Sequence, residues 1–318
     1  MKNINDVIKK SKQFESLQKE IENGTLSQSI LLLSKDDFYA YHFAKMLASL
    51  IFNDGKLIQN ENFEKVEFSS HPDLKEYPAK DKLVVSDSQE IVAESFVKPV
   101  FANKKIFIIK NFDDANEPAQ NKLLKVLEEP PKGVYFILFG GNDNQILPTI
   151  KSRCNKIVLE KVSREDIVDF LDNMQNAEMI ASLCQNQIGR ALELVRNKNA
   201  TALFNCCLDV IVKLKASKDV IKFSSKILSY KEPLSKILEY FSLMIEDILF
   251  IKSGVENLHI PPIKLALSGV SEEYSVGAIC QIQKALDKAS KELDFQTNPT
   301  LVLENLLLNM LEVKYLCK

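Results

Sequence analysis

The sequence has little of what several classes of protein require. Its 318 residues include no tryptophan, three histidines and nine glycines, with no low-complexity segment or fixed repeat. The cysteines form no C-x-x-C pair and have no neighbouring histidine, so we expect buried thiols in a reducing cytosol rather than disulfides or a metal site. They are Cys154, Cys184, Cys206, Cys207, Cys280 and Cys317.

Long apolar segments are also missing. The longest uninterrupted apolar run covers residues 134–139, far too short to span a bilayer. The N-terminal stretch lacks the apolar region of a signal peptide, so we expect a cytoplasmic protein without a membrane segment. The net charge is −2, from 41 basic and 43 acidic residues. That balance argues against a free-standing nucleic-acid binder, although DNA contact within a larger assembly remains compatible with it.

Up to about residue 161, short apolar runs alternate with helical segments. The runs at 29–34, 105–110, 133–140 and 155–160 are continuously apolar rather than alternating. Continuous apolarity is typical of strands that are covered on both faces, so the pattern predicts a parallel sheet with helices on either side.

Beyond residue 162 only helical patterns are found. Short helices are predicted first, and longer amphipathic helices follow from about residue 204. We therefore predict three domains: an α/β domain at 1–161, a small helical domain at 162–203 and a helical bundle at 204–318.

The most informative segment runs from residue 105 to residue 154. A buried strand ends at Lys110, and a helix is predicted from about Glu117, with Asn116 or Asp114 as its N-cap. The letters "EEPP" end that helix sharply. A second strand and a loop lead to Arg153, which this pattern places at the carboxyl edge of the sheet, where ligands of open α/β sheets bind.

The residues of this segment resemble a known family. "AQNKLLKVLEEPP" (119–131), "YFIL" (135–138), "LPTI" (147–150) and "SRC" (152–154) occur in the order and spacing of the clamp-loader branch of the AAA+ ATPases, and are most similar to its delta-prime branch. Weaker similarities, such as "HPD" (71–73), extend over nearly the whole chain.

The resemblance implies a fold and a set of partners. The fold would be an α/β AAA+ domain with a RecA-like parallel sheet, then a small helical lid, then an all-α C-terminal collar. The chain would be one subunit of a five-membered ring that loads the sliding clamp onto primed DNA. Its partners would be tau/gamma-type ATPase subunits and a delta subunit.

The phosphate-binding loop of such ATPases needs glycines, a lysine and a Mg²⁺-binding hydroxyl. In this chain those roles fall on Ser34, Tyr39, Ala40 and Tyr41, none of which is competent. Lys35 stands at the entrance of the loop, where we expect it to be solvated.

The acidic pair that would hold Mg²⁺ is missing as well. Its positions are taken by Lys110 and Asn111. Asp113 and Asp114 lie beyond the strand end, and we interpret them as helix-capping residues.

Both sensor positions depart from the pattern of the ATPases. Gly140 and Gly141 follow the strand where the family carries a polar sensor, and Gly189 takes the place of the second sensor arginine, with Arg190 one residue later. Together these losses predict a subunit that neither hydrolyses nor binds ATP and needs no cofactor.

Zinc is not expected either. Many relatives carry a four-cysteine zinc module after the first helix, but no cysteine occurs between Phe52 and His71. A lone histidine without thiolate partners is better interpreted as a structural loop residue.

Arg153 is the residue on which function would depend, and the resemblance implies that it reaches into an adjacent ATPase subunit as an arginine finger, flanked by Ser152 and Cys154. An ordinary surface charge is the alternative. Cys154 as a nucleophile is a further alternative, but only three histidines exist to activate it. A degenerate AAA+ adaptor that acts outside replication also remains open.

Overall fold

A computed structural model describes residues 2–56, 71–80, 82–172, 174, 176–197, 199–295 and 297–316. The chain divides into two compact units. The first comprises Met1–Gln175 with Asn186–Arg190, and the second comprises Asn176–Gln185 with Ala191–Lys318. The finer division into three domains stays a prediction.

The first unit is built on a parallel sheet of five strands. Its strand order is β2-β3-β4-β1-β5. The two edge strands are short and partly polar, whereas the three central strands are almost entirely buried. The bounds are β1 Ser29–Leu33, β2 Leu74–Tyr77, β3 Lys105–Ile109, β4 Val134–Gly140 and β5 Asn155–Val158.

Both faces of the sheet are covered. On one face, Leu31, Phe107 and Phe136 pack into a single core with residues of two helices that follow β2 and β3. The alternate residues, such as Ile30 and Ile108, point to the opposite face and are also fully buried. The helices among the described residues of this unit are α1 Ile4–Lys9, α2 Lys12–Glu22, α3 Asp37–Phe52, α4 Val85–Ser95, α5 Glu117–Glu128, α6 Pro148–Lys151 and α7 Arg164–Leu171.

The predicted α/β fold with a parallel sheet covered by helices on both faces is therefore confirmed, and four strands begin and end within two residues of their predicted bounds. The strand β2 was not predicted. Its sequence "LKEY" has two partly exposed polar residues between two buried apolar ones, because it lies at the edge of the sheet.

The second unit is helical throughout its described residues, as predicted for the C-terminal part of the chain. Helix α9 begins in the first unit and ends in the second. No described helix is long and apolar enough to cross a membrane. The helices are α8 Ala177–Leu183, α9 Ile188–Arg196, α10 Ala200–Lys213, α11 Ser217–Leu228, α12 Leu234–Lys252, α13 Lys264–Glu273, α14 Val276–Asp294 and α15 Pro299–Leu316.

Candidate functional site

The connection between β1 and α3 stands where a phosphate-binding loop would be. Only three residues, 34 to 36, separate Leu33 at the end of β1 from Asp37 at the start of α3. The Ser34 hydroxyl accepts the backbone N–H of Asp36 at 3.0 Å, which makes the turn tight. A phosphate-binding loop has four residues between its two glycines and wraps the phosphates with backbone N–H groups. This connection is too short to do so.

The Asp36 carboxylate occupies the N-terminus of α3. Its Oδ1 accepts the N–H of Tyr39 at 3.1 Å, and the N–H of Gly189 donates to Oδ2 at 3.1 Å. Asp36 is 8 % exposed. The start of a helix is a ready-made anion site, and here a carboxylate of the chain itself fills it. A phosphate at the same place would meet a buried negative charge.

Gly189 fits this arrangement because it has no side chain. A Cβ at position 189 would lie 2.8 Å from Oδ1 of Asp36 and 2.9 Å from Cβ of Phe38. An arginine at this position is therefore incompatible with the observed packing. The sequence signal that could have identified Asp36 is its place as an N-cap directly before an apolar helix.

The residues that stand at the positions of a phosphate-binding loop make packing and hydrogen-bond contacts within the chain instead. Tyr39 and Ala40 are buried in α3, and burial raises the pKa of the Tyr39 hydroxyl. Tyr41 donates its hydroxyl to Oε2 of Glu76 at 3.0 Å. Lys35 is exposed, as expected.

At the end of β3 the expected acidic pair is replaced by a cationic cluster. Nζ of Lys110 lies 3.5 Å from Oε2 of Glu76, and Nζ of Lys45 lies 3.4 Å from Oε1 of the same carboxylate. Both ammonium groups also lie over the ring of Tyr41, at 5.7 and 5.3 Å from its centroid. Two cations and one carboxylate leave a net positive charge, which opposes binding of Mg²⁺. Asn111, the next residue, has a left-handed backbone conformation with φ 48°.

The interpretation of Asp113 as a helix cap is wrong. Its Oδ2 accepts the N–H groups of Gly141 and Asn142, at 3.0 and 2.8 Å, and so holds the end of β4. The N-cap of α5 is Asn116, whose Oδ1 accepts the N–H of Ala119 at 2.9 Å. Asp113 also leaves no room for a Cβ at Gly140, which explains a glycine in the sensor position.

A cavity of about 300 Å³ remains beside this turn, at the carboxyl ends of β1 and β5. Its charged lining residues are Lys35, Asp36, Glu160 and Lys161, whose formal charges cancel. The cavity therefore offers no net attraction to a triphosphate.

Arg153 is held by its own chain. Its Nε donates to Oε2 of Glu128 at 2.7 Å, and its Nη1 donates to the carbonyl of Thr149 at 3.0 Å. The hydroxyl of Ser152 donates to the same carbonyl at 3.1 Å. In the sequence, Glu128 was recognised only as part of a helix end. It is 25 residues away from Arg153, so no local pattern predicted their contact.

The prediction that Arg153 lies at the carboxyl edge of the sheet is wrong. The loop after β4 starts there, at Gly140, but β5 runs parallel to β1 and begins with Asn155 opposite Ile30. The chain must therefore cross back to the amino edge before β5 begins. Arg153 lies at that amino edge, so it does not face the cavity of its own chain.

Cys154 does not have the surroundings of a nucleophile. It is buried, and burial raises the pKa of its thiol to about 12. A thiol with that pKa carries almost no thiolate at neutral pH. The structure thus agrees with a packing role for this residue.

His71 takes part in the "HPD" turn. Its Nδ1 accepts the N–H of Asp73 at 3.2 Å, and its ring packs 4.5 Å from that of Phe52. Residues 57–70, where a zinc module would lie, and Cys317 fall outside the described residues. Among the residues that are described, no cluster of three or more His, Cys, Asp or Glu side chains is arranged to hold a metal ion.

The chain is similar to subunits of DNA polymerase III. Residues 9–163 match the family model "DNA polymerase III, delta subunit". The chain is 30 % identical over 190 residues to the DNA polymerase III delta-prime subunit of Bacillus subtilis, and the match covers 57 % of either protein. It is 26 % identical over 279 residues to the DNA polymerase III gamma subunit of Buchnera aphidicola, with 76 % of either protein covered.

Among solved structures, a DNA polymerase III gamma subunit-related protein from Thermotoga maritima aligns with 95 % of this chain and 99 % of its own, with a TM-score of 0.47 and 22 % identity. The range matched by the family model includes the motif block at 119–154 and all five strands of the parallel sheet. The chain is thus similar to the delta, delta-prime and gamma subunits of DNA polymerase III.

Proposed function

We propose that this chain is a non-catalytic subunit of the delta-prime type in the DNA polymerase III clamp loader. In this role it helps to load the sliding clamp onto primed DNA without binding or hydrolysing ATP itself. Its partners are tau/gamma-type ATPase subunits, a delta subunit, and, through the assembled ring, the clamp and primed DNA.

The observation that carries the proposal is the Asp36 carboxylate at the N-terminus of α3. It occupies the backbone N–H groups that a phosphate would need, after a connection of three residues. The Lys110–Glu76 pair adds a cation where Mg²⁺ would bind. Each of these features disfavours nucleotide binding by itself, and one substitution would not reverse all of them.

The second part of the proposal is that Arg153 acts in trans. It lies at the opposite edge of the sheet from its own cavity, so its own chain offers it no nucleotide. A guanidinium has five N–H donors, of which Arg153 uses two within the chain, on Glu128 and Thr149. The remaining three can bind the γ-phosphate held by a neighbouring ATPase subunit, and a planar fork suits phosphate oxygens.

Two measurements test the proposal. Equilibrium dialysis of the isolated protein with labelled ATP and Mg²⁺ should show no saturable site below millimolar concentration. Gel filtration of the protein mixed with its cognate ATPase and delta subunits should yield one stable complex. A micromolar ATP site would contradict the first part. Failure to assemble would instead favour the alternative, an AAA+ adaptor that acts outside replication.

A further inference from the structure

Helix α11 carries three exposed lysines on one side. Lys218, Lys222 and Lys226 follow one another at intervals of four residues, and residues four apart lie on the same face of a helix. We call these three residues the lysine row. With a rise of about 1.5 Å per residue, neighbouring members of the row are about 6 Å apart along the helix axis. The row lies opposite the buried face of α11, which includes Val220 and Ile227.

No carboxylate pairs with the lysine row within the part of the chain that the structure describes. The one acidic residue of α11 is Asp219, and its carboxylate caps the helix. Its Oδ2 accepts the backbone N–H groups of Lys215 and Ala216, at 3.2 and 2.9 Å. Like charges four residues apart destabilise a helix. The lysine row therefore does not stabilise α11, and the fold does not explain it.

Elsewhere in the chain, helix lysines pair with carboxylates four residues away. Such pairs are Lys19–Glu15, Lys213–Asp209, Lys236–Glu232 and Lys288–Glu292. On α14 the exposed lysines Lys284, Lys288 and Lys291 also alternate with Asp287 and Glu292. Mixed signs of this kind are typical of a helix face that is simply solvated. The lysine row lacks them, so it differs from the ordinary surface of this chain.

We infer that the lysine row binds the phosphate backbone of DNA. Lysines gathered along one helix are the electrostatic footprint of a nucleic-acid contact, and each ammonium group can donate hydrogen bonds to one phosphate. Ser225, an exposed residue between Lys222 and Lys226, adds a hydroxyl donor of the kind that also contacts phosphates. The inference rests on the proposed function only in that the nucleic acid is DNA. It assigns to this chain a DNA contact of its own, in the second unit.

A nucleic acid fits the lysine row better than an acidic protein does. Protein interfaces are depleted in lysine and depend on aromatic, methionine or arginine anchors. The one aromatic residue of α11, Phe223, is buried, and Ile221 is the one large apolar side chain of this helix that is well exposed, at 65 %. The row thus offers charge without anchors. An acidic protein is the outcome against which the inference is tested.

The contact should not depend on base sequence. Stacking on bases needs exposed aromatic rings, and α11 has none. Lysines that meet phosphates fix the position of a nucleic acid but do not read its bases. Single-stranded and duplex DNA both present phosphates, so the experiment includes both.

The net charge of −2 does not prevent a local contact. At an ionic strength of about 0.1 M, exposed charges more than about 10 Å apart are largely screened from each other. A phosphate beside the lysine row therefore responds to the three lysines more than to the charge of the whole chain. The acidic balance nevertheless keeps the affinity of the isolated chain low, so low salt is the proper condition.

The experiment measures binding of the full chain to a labelled single-stranded oligonucleotide and to the corresponding duplex, by fluorescence anisotropy between about 50 and about 200 mM salt. We expect Lys218→Gln/Lys222→Gln/Lys226→Gln to weaken binding to at least one of the two by about tenfold or more at the lowest salt. The slope of log K against log salt should fall in magnitude by about two to three, since each phosphate contact contributes about one. The melting temperature should not fall, because glutamine favours helix and the substitutions remove like-charge repulsion.

The matched control is Lys284→Gln/Lys288→Gln/Lys291→Gln on α14. It removes the same charge from exposed positions of the same unit. We expect it to leave both dissociation constants within about twofold at about 0.1 M salt, because charges away from the contact are screened. A second measurement is acetylation of lysines followed by mass spectrometry. The oligonucleotide should protect the lysine row and should not protect the lysines of α14.

The possible results separate the two proposals. Absence of salt-dependent binding by the wild-type chain, or wild-type affinity of the variant in the lysine row, would overturn the inference. Equal losses in the two triple variants would also overturn it, because bulk charge would then explain binding. So would tighter binding of a poly-glutamate peptide than of DNA at the row. None of these results affects the proposed function, which fails instead if the chain binds ATP or does not assemble.

Discussion

Nε of Arg153 donates to Oε2 of Glu128 at 2.7 Å, across 25 residues of sequence. Glu128 is the last residue of α5, and Arg153 directly precedes the buried Cys154 at the amino edge of the sheet. The ion pair is partly exposed, with 30 % of the arginine side chain and 55 % of the glutamate side chain accessible. Such pairs contribute about 0–1 kcal/mol to stability. The contact therefore matters for orientation more than for folding.

Replacing Arg153 should affect turnover but not assembly. We expect Arg153→Ala to fold and assemble normally while it lowers clamp-stimulated ATP hydrolysis by the reconstituted ring several-fold. An arginine supplied in trans is worth roughly 10³ to 10⁵ in rate in GTPases, and intact sites elsewhere in the ring would make the total loss smaller. Arg153→Lys should recover little, because lysine lacks the planar fork. If the ring with the alanine variant hydrolysed ATP at the wild-type rate, Arg153 would be an ordinary surface charge.

Glu128 should act as a positioning residue for Arg153. We expect Glu128→Ala to lower ATP turnover of the ring by a smaller factor than Arg153→Ala does. Glu128→Gln should lie close to wild type, because an amide oxygen still accepts the Nε–H. The melting temperature should hardly change in either variant. Additive losses in the double variant Glu128→Ala/Arg153→Ala would contradict a role that acts through Arg153.

Asp36 should be structural rather than a simple block to nucleotide binding. Asp36→Ala removes the N-cap of α3, and we expect it to lower the free energy of unfolding by about 1 kcal/mol in urea titrations. The variant should still bind no ATP in equilibrium dialysis, because the connection keeps three residues and Lys110 keeps its charge. Asp37→Ala is the matched control, since Asp37 is exposed and makes no cap. Micromolar ATP binding by Asp36→Ala would show that the carboxylate alone excludes nucleotide.

The proposed collar can be tested on the exposed face of α15. Leu301, Leu308 and Tyr315 are spaced by seven residues and are 38–55 % exposed. A heptad stripe of this kind is typical of helices that pack on another helix. We expect Leu301→Glu/Leu308→Glu to keep the wild-type melting temperature but to prevent assembly with the ATPase and delta subunits in gel filtration. Leu265→Glu, at a 90 % exposed position of α13, serves as the control.

The pH dependence of stability should report on Asp73. Burial raises the folded-state pKa of this carboxyl, but hydrogen bonds from the backbone N–H groups of Ala102, Val100 and Phe101 outweigh burial and lower the pKa. The carboxylate therefore stabilises the fold above its unfolded pKa, near 3.9, and this contribution is lost as the pH falls through the folded value. We expect Asp73→Asn to be less stable than wild type at pH 7 and the difference to shrink below about pH 4. Urea titrations at pH 7, 5 and 3 measure this difference in the free energy of unfolding. A constant difference at all three values would contradict the role of the charge.

The sequence by itself determined the layers of the fold. Continuous apolar runs predicted the buried strands β1, β3 and β4, and an N-cap at Asn116 or Asp114 predicted the start of α5, because local patterning and capping depend on neighbouring residues only. The absence of a phosphate-binding lysine and of a Mg²⁺-binding Ser or Thr was equally visible, since Ala40 and Tyr41 stand in their places.

Only the tertiary structure decided which distant groups meet. Asp36 contacts Gly189 across 153 residues, Asp73 fixes Phe101, and Asp113 holds the end of β4 rather than capping a helix. Arg153 was assigned to the wrong edge of the sheet because the direction of β5 is set by its pairing with β1. Such contacts depend on the order of the strands and on the connections that cross between them. The residues of a single segment do not determine either.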